Sequence, residues 1–350
     1  MQRPIRIGII GAGWPGERHA EGYMAAEAQV VAISDLEEKR RKQFAATYNV
    51  SRTYADYDEL LADKEIDAVS VALPNFLHHP AVLAALNAGK HVLCEKPPAT
   101  TLAEAKEMAD KAELKGLVLA YALQRRFNPA TEKLREKLAA DELGEIYHAR
   151  GVWTRAWGVP RGVGNWFTDP ARAGGGALID IGVHVMDLAW FLMGCPAPLT
   201  VSGQVYNKYP NLTRTDDSAF ALIRFADGRS MQLEASWVLA QEKDVMGVNL
   251  YGSKGGARLD DTSLDLFQAN DEGRMMTSVS LAGGRPAFFA QANNFVRAIR
   301  GEEKPRTTAA QGVQIMALLD AIYRSSRDKR EITLLEGQAP DNVPEVRVAS

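Results

Sequence analysis

The chain has 350 residues, of which 46% are hydrophobic and 24% charged, a composition that is typical of a folded soluble protein and excludes a disordered or collagen-like chain. Its 41 Lys and Arg against 44 Asp and Glu give a net charge of −3, which excludes a broad cationic surface for nucleic acid or for a membrane. Two cysteines, Cys94 and Cys195, cannot form a disulfide framework and indicate a reduced, cytoplasmic setting, and no apolar run approaches the roughly 18 residues of a membrane span.

Strands and helices alternate in the first third of the chain. Continuous apolar, β-branched runs predict strands at 6–10, 30–34, 66–73, 91–94 and 117–123. Helical patterns separate them: one ending at residue 26, then 37–48, one that opens at Pro80 and closes at Gly89, and 101–115. Because the strands are continuously apolar, they predict a parallel sheet covered on both faces, the doubly wound nucleotide-binding pattern.

A different pattern follows residue 123. It predicts a helix at 129–140, a strand at 146–153, a loop rich in Gly, Pro and Trp at 155–176, an apolar helix at 178–193, strands at 199–206, 218–225, 230–237, 245–251 and 257–260, and terminal helices at 287–300 and 309–328. Asp227-Gly228 predicts a hairpin between two of these strands. We therefore expect two α/β domains, 1–122 with a parallel sheet and 123–350 with a mostly antiparallel open sheet, joined without a flexible linker.

The first strand leads directly into Gly11-Ala12-Gly13-Trp14-Pro15-Gly16, a GxGxxG that opens a helix. Such glycines permit a tight turn and let a pyrophosphate approach the helix N-terminus. Asp35 ends the second strand, 19 residues beyond Gly16, where a carboxylate would bind a ribose 2′-hydroxyl and repel a 2′-phosphate. The pattern favours NAD over NADP, although Arg40 and Arg41 weaken that preference. The alternative is a plain glycine turn with a surface acid.

Polar residues also follow the next predicted strands. Leu73-Pro74-Asn75 ends one strand, and Cys94-Glu95-Lys96-Pro97 ends the next. Ligands of open α/β sheets bind at the carboxyl ends of the strands. Lys96 would then lie near the reactive end of the cofactor, and the alternative is a solvated loop lysine.

The apolar helix after Gly174-Gly175-Gly176 carries three ionisable residues, Asp180, His184 and Asp187. At about 100° per residue, the i, i+4, i+7 spacing places them on one stripe. Buried polar groups must be paired, so an internal Asp–His hydrogen bond or a metal site is an alternative, although no third metal ligand is evident and no metal is predicted. The functional interpretation is that His184 faces a cleft and exchanges a proton, with Asp180 orienting it or holding a substrate hydroxyl.

Together, the segments GIIGAGWPG, ALPNFLH, CEKP and GGGALIDIGVHVMDLAWFLMG resemble the Gfo/Idh/MocA oxidoreductase family. The resemblance implies an N-terminal Rossmann domain, a C-terminal domain that forms dimers or tetramers through its sheet, and NAD(P)-dependent oxidation or reduction of a sugar or polyol hydroxyl. It implies that Lys96 is the catalytic-site lysine, Asp180 the substrate-binding aspartate and His184 the proton-transferring histidine. It also favours a cis Lys96–Pro97 bond.

The resemblance extends to further site residues. Asn75 and His78 match the segment beside the nicotinamide, and the segment from Gln124 to Pro129 matches the entry into the second domain, with Gln124 on the cofactor and Arg126 on the substrate. The 155–170 loop departs from the family and offers candidates for sugar contacts, namely Arg155, Asn165 and Trp166. For Trp166, core packing is the alternative.

Hydride transfer between nicotinamide and a ring hydroxyl is therefore the expected activity. A glycosidase that uses NAD for transient oxidation followed by elimination is the alternative within the same family. A non-catalytic sensor of sugar or dinucleotide is disfavoured, because Lys96, Asp180 and His184 are all present.

Overall fold

The structure is a computed structural model that describes residues 3–160, 163–270, 273–281 and 286–334, with the backbone alone at 163–165 and 269–270. Its first sheet has six strands in the order β3-β2-β1-β4-β5-β6, and all neighbours are parallel. The strands are β1 Ile5–Ile10, β2 Ala28–Ser34, β3 Arg52–Tyr54, β4 Ala68–Val71, β5 His91–Glu95 and β6 Leu119–Ala122. The predicted parallel, doubly wound sheet is confirmed.

Helices connect these strands. They are α1 Trp14–Met24, α2 Glu38–Tyr48, α3 Tyr57–Ala62, α4 His78–Asn87 and α5 Leu102–Lys115, with 3₁₀ turns at Asn75–Leu77 and Gln124–Phe127. Helix α4 begins two residues before the predicted Pro80, and Gly89 follows its end with φ of 74°. The sequence analysis missed β3 and α3. Strand β3 has only three residues at the sheet edge, so no continuous apolar run marks it.

The second sheet has nine strands in the order β14-β13-β12-β11-β7-β10-β9-β8-β15. Only the β7–β10 pair is parallel, so the predicted, mostly antiparallel sheet is confirmed. Its strands are β7 Ile146–Thr154, β8 Pro198–Tyr206, β9 Ser218–Phe225, β10 Ser230–Ser236, β11 Val245–Gly252, β12 Gly256–Leu259, β13 Leu264–Asn270, β14 Gly273–Ser278 and β15 Ile332–Thr333. The predicted Asp227-Gly228 hairpin joins β9 to β10. Strands β13, β14 and β15 were not predicted.

The remaining helices are α6 Pro129–Ala139, α7 Pro170–Ala173, α8 Val183–Leu192, α9 Ala287–Ile299 and α10 Ala309–Asp328, with a 3₁₀ turn at Val163–Thr168. A π-helical turn, Leu178–Gly182, leads into α8. The stretch Pro170–Leu192 is long and apolar enough to span a membrane by length and composition, but it is mostly buried inside the protein. Helix α8 packs on β7 and β11 and forms part of the core.

The last two helices pack on the parallel-sheet layer, and α10 also packs on the second sheet. Helix α9 packs against α1, and its Phe295 shares a hydrophobic cluster with Ile7, Ile9 and Tyr23 of the parallel sheet layer. Helix α10 packs against both β8 and α5. The two sheets are thus held together by buried contacts as well as by the chain that links β6 to β7. The boundary between 122 and 123 stays a prediction.

Candidate active site

The three glycines of the first turn face different surroundings. A Cβ on Gly11, whose φ is 104°, would lie 2.3 Å from the carbonyl oxygen of Ala72, and one on Gly16 would lie 2.0 Å from that of Gly11. A Cβ on Gly13 would meet nothing nearer than Pro15 Cδ at 3.7 Å. Gly11 and Gly16 therefore serve the turn and the helix–strand packing, whereas Gly13 leaves the N-terminus of α1 open to a ligand. The helix has no side-chain cap, so its first N–H groups suit a pyrophosphate.

Asp35 lies beside this turn at the end of β2. Its two carboxylate oxygens accept hydrogen bonds from the backbone N–H groups of Ala12 and Glu37, each at 2.9 Å. Arg40 is paired with Glu37, and Arg41 donates to the backbone carbonyl of Asp35. The carboxylate is thus held at the place where the sequence predicted a ribose contact, and both arginines are engaged locally. The uncapped backbone N–H groups of α1, the Asp35 carboxylate and the open face at Gly13 fit a dinucleotide.

A cavity of about 350 Å³ opens at the carboxyl ends of the parallel strands, between the two sheets. The predicted site residues that line it are Trp14, Leu73, Asn75, Glu95, Lys96, Gln124, Arg155, Trp166, Asp180 and His184. Residues from at least six separate parts of the chain therefore converge here. The cavity wall also contains residues that were not predicted as site residues, namely Pro15, Arg125, Trp153, Phe167, Ile181 and Phe288.

Lys96 and Asp180 form the polar centre of the cavity. Lys96 Nζ donates to the backbone oxygen of Asp180 at 2.9 Å and to its Oδ1 at 3.2 Å. Trp237 Nε1 donates to Asp180 Oδ2 at 3.1 Å, so both carboxylate oxygens are held. The π-helical turn around Asp180 replaces regular helical hydrogen bonding, with Val183 N–H donating to the oxygen of Leu178. The Lys96–Pro97 bond is cis, as expected.

His184 lies beside this pair and is 6% exposed. Burial lowers the pKa of its imidazole well below the usual 6.5, and the charges of Lys96 and Arg125 lower that pKa further. Its ring packs 5.5 Å from the Trp153 ring, and Nδ1 is buried without a hydrogen-bond partner among the described residues. The imidazole is neutral at neutral pH and is able to accept a proton.

The predicted stripe is only partly a site, because Asp187 points into the core. Arg126 Nε and Nη2 donate to its carboxylate at 3.0 and 2.6 Å, and both side chains are at most 1% exposed. Arg126 Nη1 donates to the backbone oxygen of Arg306 and to Gln311 Oε1. The expectation that Arg126 contacts substrate is corrected, since its donors are engaged in the core. The alternative of an Asp–His bond is also not realised, since Asp180 and Asp187 bond other partners.

A buried carboxylate shapes the start of the helix that carries Asp180 and His184. Asp216 accepts hydrogen bonds from the N–H groups of Gly176 and Leu178, at 2.6 and 2.9 Å, and from the Tyr323 hydroxyl at 2.8 Å. A Cβ on Gly176 would lie 1.8 Å from the backbone carbonyl oxygen of Asp216. A Cβ on Gly175 would lie 2.1 Å from the Tyr323 hydroxyl oxygen. The triple glycine is therefore needed for close packing, and Asp216 was not identified from the sequence.

Other predicted residues support the cavity from outside. His78 is fully buried, and its ring nitrogens lie 2.9 Å from the oxygen of Pro97 and 2.8 Å from that of Leu73. It braces the two strand-end segments and does not line the cavity; Pro74 does not line it either. Asn75 lines the cavity, but its amide donates to the oxygen of Ala173 at 2.8 Å.

Glu95 lines the cavity and is held by a residue that was not predicted. His19 Nε2 lies 3.1 Å from Glu95 Oε1, and the Lys96 N–H donates to Glu95 Oε2 at 3.1 Å. Burial alone would raise the pKa of Glu95, but the hydrogen bond and charge of His19 and the charge of Lys96 lower it. Glu95 is therefore an ionised, fixed carboxylate.

The loop after β7 contributes an aromatic wall. Trp166 stacks on Phe167 with ring centroids 3.8 Å apart, and its Nε1 is buried without a partner among the described residues. Trp166 thus lines the cavity while also packing under the loop. Arg155 donates from Nη1 to the oxygen of Gly158 at 2.9 Å. The side chain of Asn165, also predicted to contact substrate, lies outside the described residues.

Only some of the site residues that the sequence analysis missed could have been identified from the sequence pattern. Arg125 directly precedes Arg126 in the same segment, and Trp153 is the last aromatic residue of a predicted strand. Nothing in the local pattern marks Phe288, which arrives from α9, or Trp237, which lies behind Asp180. Within the described ranges, no group of three or more His, Cys, Asp or Glu is placed to hold a metal ion.

Comparison with known proteins identifies the family to which both parts of the chain are similar. Residues 5–123 match the oxidoreductase family GFO_IDH_MocA, described as having an NAD-binding Rossmann fold, and residues 131–258 match a GFO/IDH/MocA C-terminal domain. The chain is 33% identical over 350 residues to D-glucoside 3-dehydrogenase of Escherichia coli, covering 95% of this chain and 98% of that protein.

A second relative is myo-inositol 2-dehydrogenase of Thermotoga maritima, which is 28% identical and covers 95% of this chain and 99% of that protein. The structure of levoglucosan dehydrogenase in complex with NADH and levoglucosan superposes with a TM-score of 0.86 at 24% identity, over 94% of this chain and 99% of that one. At that identity, the structural likeness carries the fold alone.

Proposed function

The chain belongs to the Gfo/Idh/MocA oxidoreductase family, and we propose that it transfers a hydride between nicotinamide and a ring carbinol carbon of a sugar, anhydrosugar or polyol. As an NAD(P)-dependent dehydrogenase it acts on CH–OH groups. The observation that carries the proposal is the convergence of Lys96, Asp180 and His184 in one cavity beside the glycine turn. The names of the relatives, a D-glucoside and a myo-inositol dehydrogenase, support a polyhydroxylated ring as substrate.

Cofactor binding is assigned to the glycine turn and its surroundings. Gly11 and Gly16 would shape the turn that receives the pyrophosphate, which Ala12, Gly13 and Trp14 would hold. Asp35 would bind the adenosine ribose. The cavity residues Leu73, Asn75, Glu95, Lys96 and Gln124 would surround the nicotinamide. Nicotinamide supplies the hydride acceptor when bound. The carboxylate of Asp35 favours NAD over NADP.

His184 is assigned as the base. With Nδ1 shielded, a neutral imidazole protonated on Nδ1 presents the lone pair of Nε2 to the substrate hydroxyl and accepts its proton during oxidation. An imidazole with a lowered pKa is in this form at neutral pH, so no prior deprotonation is needed.

Lys96 is assigned to the same substrate oxygen. An ammonium group has three N–H donors, and Lys96 uses two of them on Asp180. The third would donate to the oxygen and stabilise the negative charge that develops there. Asp180, held by Lys96 and Trp237, would accept a hydrogen bond from a neighbouring hydroxyl. Arg155 and Trp166 would contact the remainder of the ring.

A substrate screen tests the proposal. Monosaccharides, inositols and anhydrosugars are incubated with NAD and with NADP, and the absorbance of reduced nicotinamide is followed. We expect oxidation of at least one compound, with NAD preferred. A parallel incubation with aryl glycosides and no added NAD tests the glycosidase alternative, because that activity has no net redox change. Release of the aryl group without any dehydrogenase activity would overturn the proposal.

We also propose that the chain forms a homodimer or homotetramer through the nine-stranded sheet. Exposed side chains of this sheet line a groove of about 670 Å³, among them Tyr147, Tyr251, Phe267, Met275 and Met276. Sedimentation of the protein with charged substitutions in this groove tests the proposal. A cytoplasmic location is proposed as well, and it accords with Cys94 and Cys195, both free thiols.

A further inference from the structure

The charged groups are distributed unevenly along the cavity. At one end, the Lys96 ammonium is matched by the Asp180 carboxylate, and Glu95 is held by His19 and a backbone N–H. This end is where the proposed reaction takes place, and its charges are balanced by the protein itself.

The end at Trp153 carries two guanidinium groups. The guanidinium carbon of Arg125 lies 4.4 Å from the centroid of the Trp153 ring, and that of Arg155 lies 6.0 Å from it. Arginine stays charged in proteins, so two positive charges meet at one indole ring. No carboxylate that lines the cavity contacts either group among the described residues.

One carboxylate serves the two guanidinium groups, and it pairs directly with Arg125. Arg125 is 9% exposed as a side chain, and its carboxylate partner is Asp261, which follows β12 outside the cavity and is 43% exposed. Arg125 Nε is buried without a hydrogen-bond partner among the described residues. Arg155 has no acidic partner in the described part of the chain, and only a backbone oxygen, that of Gly158, accepts from it. The two guanidinium groups thus share a single carboxylate, which leaves one positive charge without a counter-charge from the described residues at this end.

We propose that the substrate carries an anionic group, a carboxylate or a phosphate, which Arg125 and Arg155 bind at the Trp153 end of the cavity. Both anions match the planar donor array of guanidinium. The inference rests on the proposed function, since the reacting hydroxyl would lie at His184. The His184 ring is 5.5 Å from the Trp153 ring, so the anion belongs on the reacting ring or on its first substituent.

Matched ligands test this with the full-length, NAD-loaded protein. D-Glucose is compared with D-glucuronate and with glucose 6-phosphate, and myo-inositol with its monophosphate, by titration calorimetry and by initial rates. We expect at least one anionic compound to bind about tenfold or more tightly than its neutral counterpart, with the difference reduced by salt. Comparing glucuronate with the phosphates shows which anion the site prefers.

Substitutions test whether Arg125 and Arg155 bind the anionic group. Arg155→Gln and Arg125→Gln should each weaken binding of the anion about tenfold more than they weaken binding of the neutral sugar. Arg125→Lys keeps the charge and serves if Arg125→Gln does not fold. Arg172→Gln is the control, because Arg172 also stacks on an aromatic ring, that of Phe76 at 4.6 Å, but does not line the cavity.

The outcomes separate the two proposals. If no anionic compound binds more tightly than its neutral counterpart, or if Arg125 and Arg155 variants keep the preference, the inference is overturned while dehydrogenase activity on neutral sugars stands. Tight, arginine-dependent binding of an anion without oxidation of any compound in the screen would instead overturn the proposed function. An equal loss in Arg172→Gln would indicate a general charge effect and also overturn the inference.

Discussion

Replacement of His184 tests the assignment of the base. In His184→Asn, the described structure loses no hydrogen bond through Nδ1, because that atom has no partner. It loses the contact with the Trp153 ring, and aromatic pairs contribute about 1 kcal/mol. We therefore expect a folded protein whose free energy of unfolding falls by about 1 kcal/mol. Because a positioned proton acceptor contributes roughly 10²–10⁴-fold, kcat/KM for oxidation should fall by that factor.

The pH dependence adds a second, independent readout. Burial and then the charges of Lys96 and Arg125 lower the pKa of His184, so the base is neutral above a value that lies below 6.5. The kcat/KM of the wild type should fall only when the pH drops through that lowered value. In His184→Asn this acid limb should disappear. Arg125→Gln removes one of the lowering charges, so the limb should move to higher pH.

Three measurements on one variant decide the matter: initial rates, NAD affinity by calorimetry, and thermal unfolding. NAD affinity should be nearly unchanged, since Asp35 keeps its hydrogen bonds to the glycine turn and to Glu37, and none of these involves His184. A stable, NAD-binding His184→Asn with near-normal turnover would remove His184 from the mechanism. A joint loss of stability, NAD binding and turnover would indicate a structural role instead.

Three further predictions concern the cofactor and the core. Asp35→Ser should shift preference from NAD toward NADP in steady-state kinetics, because the carboxylate that repels a 2′-phosphate is gone; a wild type that already prefers NADP would contradict this. Asp187→Asn should lower the free energy of unfolding by about 3–5 kcal/mol in urea titrations, because it leaves Arg126 buried without its counter-charge. Replacing both Asp187 and Arg126 with apolar residues should lower it by less than the sum of the two single changes. Gly16→Ala should lower the melting temperature sharply because its Cβ meets a backbone oxygen at 2.0 Å, whereas Gly13→Ala should stay folded and weaken NAD binding; equal melting temperatures would refute this reasoning.

Local patterns in the sequence were sufficient to predict which polar residues lie at the carboxyl ends of the parallel strands. The glycine turn, Asp35 and Lys96 each follow a continuous apolar run, and parallel strands place such residues at one sheet edge. The i, i+4 spacing of Asp180 and His184 likewise put both in the cavity. The end of a strand and the spacing along a helix are properties of short segments, so the periodicity of the sequence indicates them directly.

The same helical spacing did not predict where the side chain of Asp187 lies or which residue binds it. His184 and Asp187 lie on the same regular helix, α8, but Arg126 arrives from a distant segment and binds the Asp187 carboxylate in the core. Which of two adjacent arginines enters the cavity is likewise decided by long-range partners: Asp187 holds Arg126 in the core and Asp261 holds Arg125 at the cleft. The sequence order contains no information on these pairings.

The sequence by itself determined the fold class, the glycine turn and the three polar residues Lys96, Asp180 and His184 that the structure brings together in one cavity, because each depends on residues within one or two elements. Only the tertiary structure decided what surrounds them. Trp237, Asp216 and Phe288 lie far from Asp180 and His184 in the chain or on other elements, and they reach the site because the nine-stranded sheet and α9 pack against it. Contacts between remote segments arise from packing of the whole core, which no local periodicity encodes.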